Sequence, residues 1–239
     1  MWYPKKGSRA TVGSPGILLC DRYLSVFGFN NFDSSLFTFE STNISDYLSE
    51  SNIIDFNNDE IKQKCLELVG DNKNGINIIE KLYHFVRDEI AHSGDINENS
   101  VTCIASEVLK NKHGICIAKS HLLAAMLRLC NIPTGFCYQK LSTEVKGQMV
   151  VHGLNAVYLS DYNKWIRIDA RGNKKNVNAE FNIEEEKIAW QANTSIGEAD
   201  YPIVLYKPHN AILEIMQKVT TRVQLYDNLY LIVQSVFKK

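Results

Sequence analysis

A chain of 239 residues, 45% hydrophobic and 22% charged, is long enough to bury one sizeable core with an appendage beside it. Its net charge of −1, with both signs interspersed, leaves no basic patch of the kind that recognises nucleic acid. No apolar run reaches transmembrane length, and Ile17-Leu18-Leu19-Cys20 is too short for the centre of a signal peptide, so no membrane partner is expected.

Residues 1–43 read as an N-terminal segment, polar to Gly16 and then apolar and aromatic enough over 17–29 for a strand; a leader is the alternative. A core domain is expected over 44–207. Asn57 caps its first helix, with Glu60 three residues on, Ile61, Cys65, Leu66, Leu68 and Val69 as the apolar face and Gly70 as the stop. Asn74 caps a second, in which Ile76, Ile79, Tyr83, Val86 and Ile90 recur at steps of three and four. A short helix over 103–110 leads into His113-Gly114-Ile115-Cys116 and a long Leu/Ala-rich run that closes before Pro133.

After Pro133 the period changes to that of strands: 134–142, 149–160 and 164–170, the last two joined by a hairpin at Asp161-Tyr162-Asn163. Residues 171–197 are irregular, and Glu184-Glu185-Glu186 reads as a solvated face. Residues 208–239 form a C-terminal helical region. Its stripe of Ile212, Ile215, Val219, Val223, Tyr226, Tyr230, Val233 and Phe237 packs on its own domain or pairs two copies as a homodimer, and Val219-Thr220-Thr221 is a place for it to break.

Cys116 stands in the first turn of a buried helix. Amide N–H groups there lack intrahelical partners and carry the positive end of the helix dipole, which stabilises a thiolate. A cysteine nucleophile also needs a base, and the base an orienting partner. If the hairpin loop has two or four residues, paired positions sum to 323. His152 and Asp169 then point to one face as diagonal neighbours, ~7–8 Å apart at Cα and within reach of a carboxylate–imidazole bond. Gly153 leaves space beside the ring. His92 and His113 flank the cysteine helix and could line the cleft, Trp165 covers it, and Arg171 and Asn173 are candidates for contacts to substrate or to the triad. The backbone N–H of Cys116 is one oxyanion donor, and a second is unidentified. Six cysteines with no CxxC pair read as reduced thiols in a cytoplasm, and no metal or other cofactor is expected.

Gly114-Ile115-Cys116 opening a helix that ends Leu-Arg-x-x-x-Ile-Pro, then His152, then Trp165-Ile166-Arg167-Ile168-Asp169 resembles the bacterial core domain of the transglutaminase-like superfamily over roughly residues 45–205. The resemblance implies an α+β, papain-like fold in which a cysteine-bearing helix packs on an antiparallel sheet. It makes Cys116 the nucleophile, His152 the base and Asp169 its orienter. The expected activity is thiol-dependent acyl transfer through a thioester, on a peptide, protein or small amide. Water as acceptor makes a protease or amidase and an amine makes a transglutaminase; a non-catalytic binding module with this fold is the rival. Two departures stand out: no aromatic residue follows His152 closely, and Asp169 is followed by Ala170-Arg171-Gly172 rather than proline.

Overall fold

The computed structural model describes residues 38–143, 145 and 147–237; the strand expected over 17–29 lies outside them. The first helix, α1, is Asp59–Val69, and its cap is Asn58 rather than Asn57. Asn58 Oδ1 accepts from the N–H groups of Glu60 and Ile61, while Asn57 is held by the Glu50 carboxylate through both its backbone and its side-chain N–H. Asn74 caps α2, Gly75–His84, through the N–H of Asn77. One π turn, Phe85–Glu89, ends this helix and turns the chain into a two-residue strand, β2, Ala91–His92.

Helix α3, Ala105–Asn111, starts where the Glu107 carboxylate accepts from the N–H groups of Cys103 and Ile104. It stops at Lys112, which takes a left-handed conformation at φ 57°. Strand β3, His113–Gly114, runs parallel to β2 and delivers the chain into α4, Cys116–Leu129. Every residue of α4 from Ile117 to Arg128 is buried, so this helix is surrounded by protein on all sides. Asn131, also left-handed, ends it ahead of Pro133.

Strands β4 (Thr134–Ser142), β5 (Met149–Leu159), β6 (Lys164–Ile168) and β7 (Ala199–Asp200) form an antiparallel sheet in the order β6-β5-β4-β7. The β5–β6 register pairs Asn155 with Ile168 and Leu159 with Lys164, the expected sum of 323. Alternation gives the sheet two apolar faces. Phe136, Tyr138, Val151, Val157, Leu159 and Ile168 pack toward α4. Cys137, Leu154, Ala156, Tyr158 and Trp165 pack on the other side with Tyr47 and Val204. Outside this sheet, β1 (Thr38–Phe39) pairs in parallel with β8 (Ile203–Val204).

Helix α5 (Asn210–Lys218) and α6 (Arg222–Val236) are separated at Val219–Thr221, and Thr221 caps α6. The expected apolar stripe packs on the core at Ile212, Ile215, Val219, Tyr226, Val233 and Phe237. Val223 and Tyr230 are exposed instead, and Leu225, Leu229 and Val236 complete the buried face of α6. Both helices join the core that surrounds α4. Among the described residues no helix is long and apolar enough to cross a membrane.

Candidate active site

The site begins with the docking of α4 on β5. A Cβ on Gly153 would lie 2.8 Å from Ile117 Cγ1 and 3.0 Å from Ile117 Cα. The space that glycine leaves is therefore filled by the first turn of α4, not open beside the His152 ring. This close approach sets Cys116 against His152. Gly114 does the same on the entry side, where a Cβ would meet Ala118 Cβ at 3.0 Å and Thr102 Oγ1 at 3.2 Å. Cys116 is half-buried at the first position of α4, and the N-cap residue Ile115 supplies no side-chain acceptor to the first-turn N–H groups. Their positive field is left for the sulfur.

His152 and Asp169 share the outer sheet face as the register requires. His152 Nε2 lies 2.8 Å from Asp169 Oδ2, and both residues are buried. Asp169 also accepts from the N–H groups of Arg171 (Oδ1, 3.0 Å) and Ala189 (Oδ2, 3.0 Å). Three donors hold the carboxylate ionised and aimed. With Nε2 engaged, Nδ1 is the nitrogen left for the hydrogen bond that His152 makes to Cys116. His92 bonds to Cys116 as well. Its strand pairs with β3, so that His92 lies opposite Gly114, two residues before the thiol.

The charges follow from this geometry. Burial pushes the Cys116 thiol up, but the facing His152 charge and hydrogen bonds from His152 and His92 outweigh it and bring the thiol down to about 5. Burial pulls His152 down, and the Asp169 and Cys116 charges overcome it to raise the imidazole to about 10. Near neutrality the two form a thiolate–imidazolium pair. For Asp169, desolvation is outweighed by the charge and bond of His152 and by its two backbone donors, so its carboxyl lies below the ordinary value. Burial lowers His92 and keeps its ring neutral.

The other expected site residues divide. Arg171 is buried beside Asp169, where its guanidinium makes a bidentate pair with Asp95 and lies 5.6 Å from the centre of the Trp190 ring. Asn173 pins its own loop, accepting from Ala179 N–H at 2.7 Å and donating to Ala179 C=O at 3.2 Å. His113 is held between Ser93 Oγ (3.0 Å) and Ser100 Oγ (3.3 Å). Trp165 lies on the Asp169 side of its strand but packs 5.1 Å from Phe39 and Tyr47 and 5.5 Å from Tyr158, in the aromatic cluster of the outer face. The ring that covers His152 is Trp190, edge-on at 5.0 Å.

Sequence reasoning missed Trp190 because it sits in the irregular stretch after Asp169, where no periodicity marks a side chain as inward. It also missed Lys119. This buried amine, which burial pulls down to about 7, donates to the carbonyl oxygens of Arg87, Ile90 and Arg171, tying the segment before His92 and the segment after Asp169 to α4. A lysine inside a nearly unbroken apolar run was the available signal.

Residues 62–170 match the family profile of the transglutaminase-like superfamily. Two solved structures are similar. A suggested cysteine protease from Cytophaga hutchinsonii shares 18% identity over 55% of this chain and 43% of its own, with a TM-score of 0.43. A suggested protease from Parabacteroides distasonis shares 14% identity over 52% of this chain and 24% of its own, with a TM-score of 0.35. The chain thus spans less than half the length of either structure. A comparison with curated proteins finds no match.

Proposed function

We propose that this chain, whose residues 62–170 match the transglutaminase-like superfamily, is a cysteine-dependent acyl-transfer enzyme that hydrolyses amide or peptide bonds in a reducing, cytoplasmic compartment. The observation that carries the reading is the buried His152–Asp169 pair, 2.8 Å apart, facing Cys116 at the first position of α4, a setting that draws the thiol down to about 5. Thiolates act as nucleophiles, and reducing surroundings keep them available.

In the proposed reaction the Cys116 thiolate attacks the amide carbonyl. A C–S bond forms and the carbonyl π pair moves onto oxygen. The oxyanion is held by the first-turn N–H of α4. As the intermediate collapses, the C–N bond breaks and His152 Nδ1–H protonates the departing amine. Water then enters. His152 takes its proton, the hydroxide adds to the thioester, and the thiolate leaves with a carboxylic acid as product. Asp169 keeps His152 in one orientation and supports its positive charge throughout. Trp190 and the Arg171–Asp95 pair wall the base from bulk water.

Alkylation by iodoacetamide, followed by peptide mass spectrometry between pH 5 and 9, tests the reading. Cys116 is expected to react well below pH 8, and His152→Ala to move its reactivity toward that of an ordinary thiol. Alkylation of Cys116 no faster than at the other cysteines, and unchanged in His152→Ala, would mean a packed thiol in a binding module.

A further inference from the structure

We propose that His92 is the second oxyanion donor: its Nε2–H, poised on the Cys116 sulfur at rest, joins the Cys116 backbone N–H in binding the oxygen of the carbonyl under attack. The inference rests on the acyl-transfer reading above.

The ring's tautomer follows from its partners. Gly94 N–H donates to His92 Nδ1 at 3.2 Å. A nitrogen that accepts a hydrogen bond carries no proton, so in the neutral ring the proton sits on Nε2. Nε2 is also the nitrogen left for the bond to Cys116. His92 therefore meets the sulfur as a neutral donor, whereas His152 meets it as the partner of a carboxylate. Two imidazoles on one sulfur with such different supports divide the work. The ring backed by Asp169 carries the proton to the leaving group. The ring backed by a backbone N–H keeps its proton and offers it only as a hydrogen bond.

Placement is rigid. Ala91 N–H donates to Lys112 C=O at 2.9 Å and Ser93 N–H to Gly114 C=O at 3.0 Å, so His92 is fixed on both sides to the strand that leads into Cys116. Lys119 anchors the carbonyl of Ile90 just before it. When the C–S bond forms, the sulfur ceases to be an anion and the charge appears on an oxygen two bonds away. A donor already fixed on the sulfur follows that charge with a small shift, which is the economy of a preorganised site. When the intermediate collapses, the C=O bond re-forms, the amine leaves with the His152 proton, and the His92 proton never moves.

The test compares two reactions of the same thiol, since displacement of iodide from iodoacetamide forms no oxyanion and acylation by p-nitrophenyl acetate does. Adducts at Cys116 are counted by peptide mass spectrometry, each at the pH where its rate has levelled off, in wild type, His92→Ala and His92→Gln. Acylation in His92→Ala is expected to fall roughly a hundredfold, the scale of one lost oxyanion donor. Its plateau alkylation should stay within about threefold of wild type. His92→Gln, which restores an N–H, should recover most of the acylation. Acylation unchanged in His92→Ala, or acylation and alkylation falling together in both variants, would overturn the assignment. A wild-type Cys116 no more reactive to iodoacetamide than the other cysteines would instead remove the acyl-transfer reading and this inference with it.

Discussion

Gly153→Ala puts one methyl group between the sheet and the helix that carries Cys116. The new Cβ would stand 2.8 Å from Ile117 Cγ1 and 3.0 Å from Ile117 Cα, whereas carbon atoms ordinarily pack about 3.5 Å apart or more. Relief requires the first turn of α4 to retreat by about 0.5–0.7 Å. Ile117 cannot turn aside, because a β-branched side chain in a helix has one strongly favoured χ1 and this one is wholly buried. Overpacking of this kind costs about 1–3 kcal/mol, partly offset by the ~0.5–1 kcal/mol that alanine gains over glycine in a strand. The net loss of stability is modest, but the effect on the site is not. Cys116 moves with its turn, the bond to His152 lengthens, and the thiol rises from about 5 toward its ordinary value of 9.0. The pH profile of iodoacetamide alkylation at Cys116 reads the shift, and urea denaturation reads the stability. Adding Ile117→Ala should restore little, because the new methyl group still meets the helix backbone. An alkylation midpoint still near pH 5 in Gly153→Ala, or full recovery in the double variant, would refute the claim that close docking of α4 on β5 sets the thiolate.

Asp169→Asn places an amide NH₂ against donors that now point at a carboxylate. Acylation of Cys116 by p-nitrophenyl acetate should fall by orders of magnitude, up to roughly 10⁴-fold as expected for a misoriented base; retention of more than a tenth of the wild-type rate would argue against the orienting role. The contribution of the Cys116–His152 pair to stability should level off between about pH 6.5 and 9 and decline on both sides. Cys116, drawn down from 9.0 to about 5, contributes stability present above pH 9 and lost as pH falls through 5. His152, raised from 6.5 to about 10, contributes stability present below pH 6.5 and lost as pH rises through 10. Between 6.5 and 9 folded and unfolded pairs bind the same number of protons, and the difference in urea stability between wild type and Cys116→Ala/His152→Ala, measured across pH, should show that plateau; a difference that keeps changing between pH 6.5 and 9 would count against the pair. Asp95→Ala leaves the buried Arg171 guanidinium without its bidentate partner and should cost about 2–3 kcal/mol by urea denaturation, whereas a loss under 0.5 kcal/mol would mean the pair is solvent-screened.

The sheet and the placing of His152 and Asp169 were legible because they obey local rules. Strand alternation and hairpin-loop parity put His152 and Asp169 on one face, and the Asn155–Ile168 pairing has that register. Asn74 shows in the sequence as a cap for the same reason: a cap is a bond across three residues. What stayed hidden needs contacts between distant segments. Gly153 looked like room for a ring because nothing near it in the chain says that Ile117 fills that room. Trp165 looked like a cover because it has the right parity, but Phe39 and Tyr47, over a hundred residues away, draw it into another cluster. Its place over His152 goes to Trp190, in a stretch with no period to read. The C-terminal stripe was legible at Ile212, Tyr226, Val233 and Phe237, whereas Val223 and Tyr230 lie exposed and Leu225 and Leu229 take the buried positions beside them.

The three carbonyls on Lys119 have a consequence for the order in which the chain is made. Its amine gathers Arg87, Ile90 and Arg171, and the Asp169 carboxylate accepts from the amide of Ala189. A growing chain that has released Cys116 still lacks His152, Asp169 and the far side of this clasp. Without those partners the cysteine is an ordinary thiol, mostly protonated at neutral pH. On the acyl-transfer reading proposed above, nucleophilic power arrives with closure of the fold, after the last of these segments has been made.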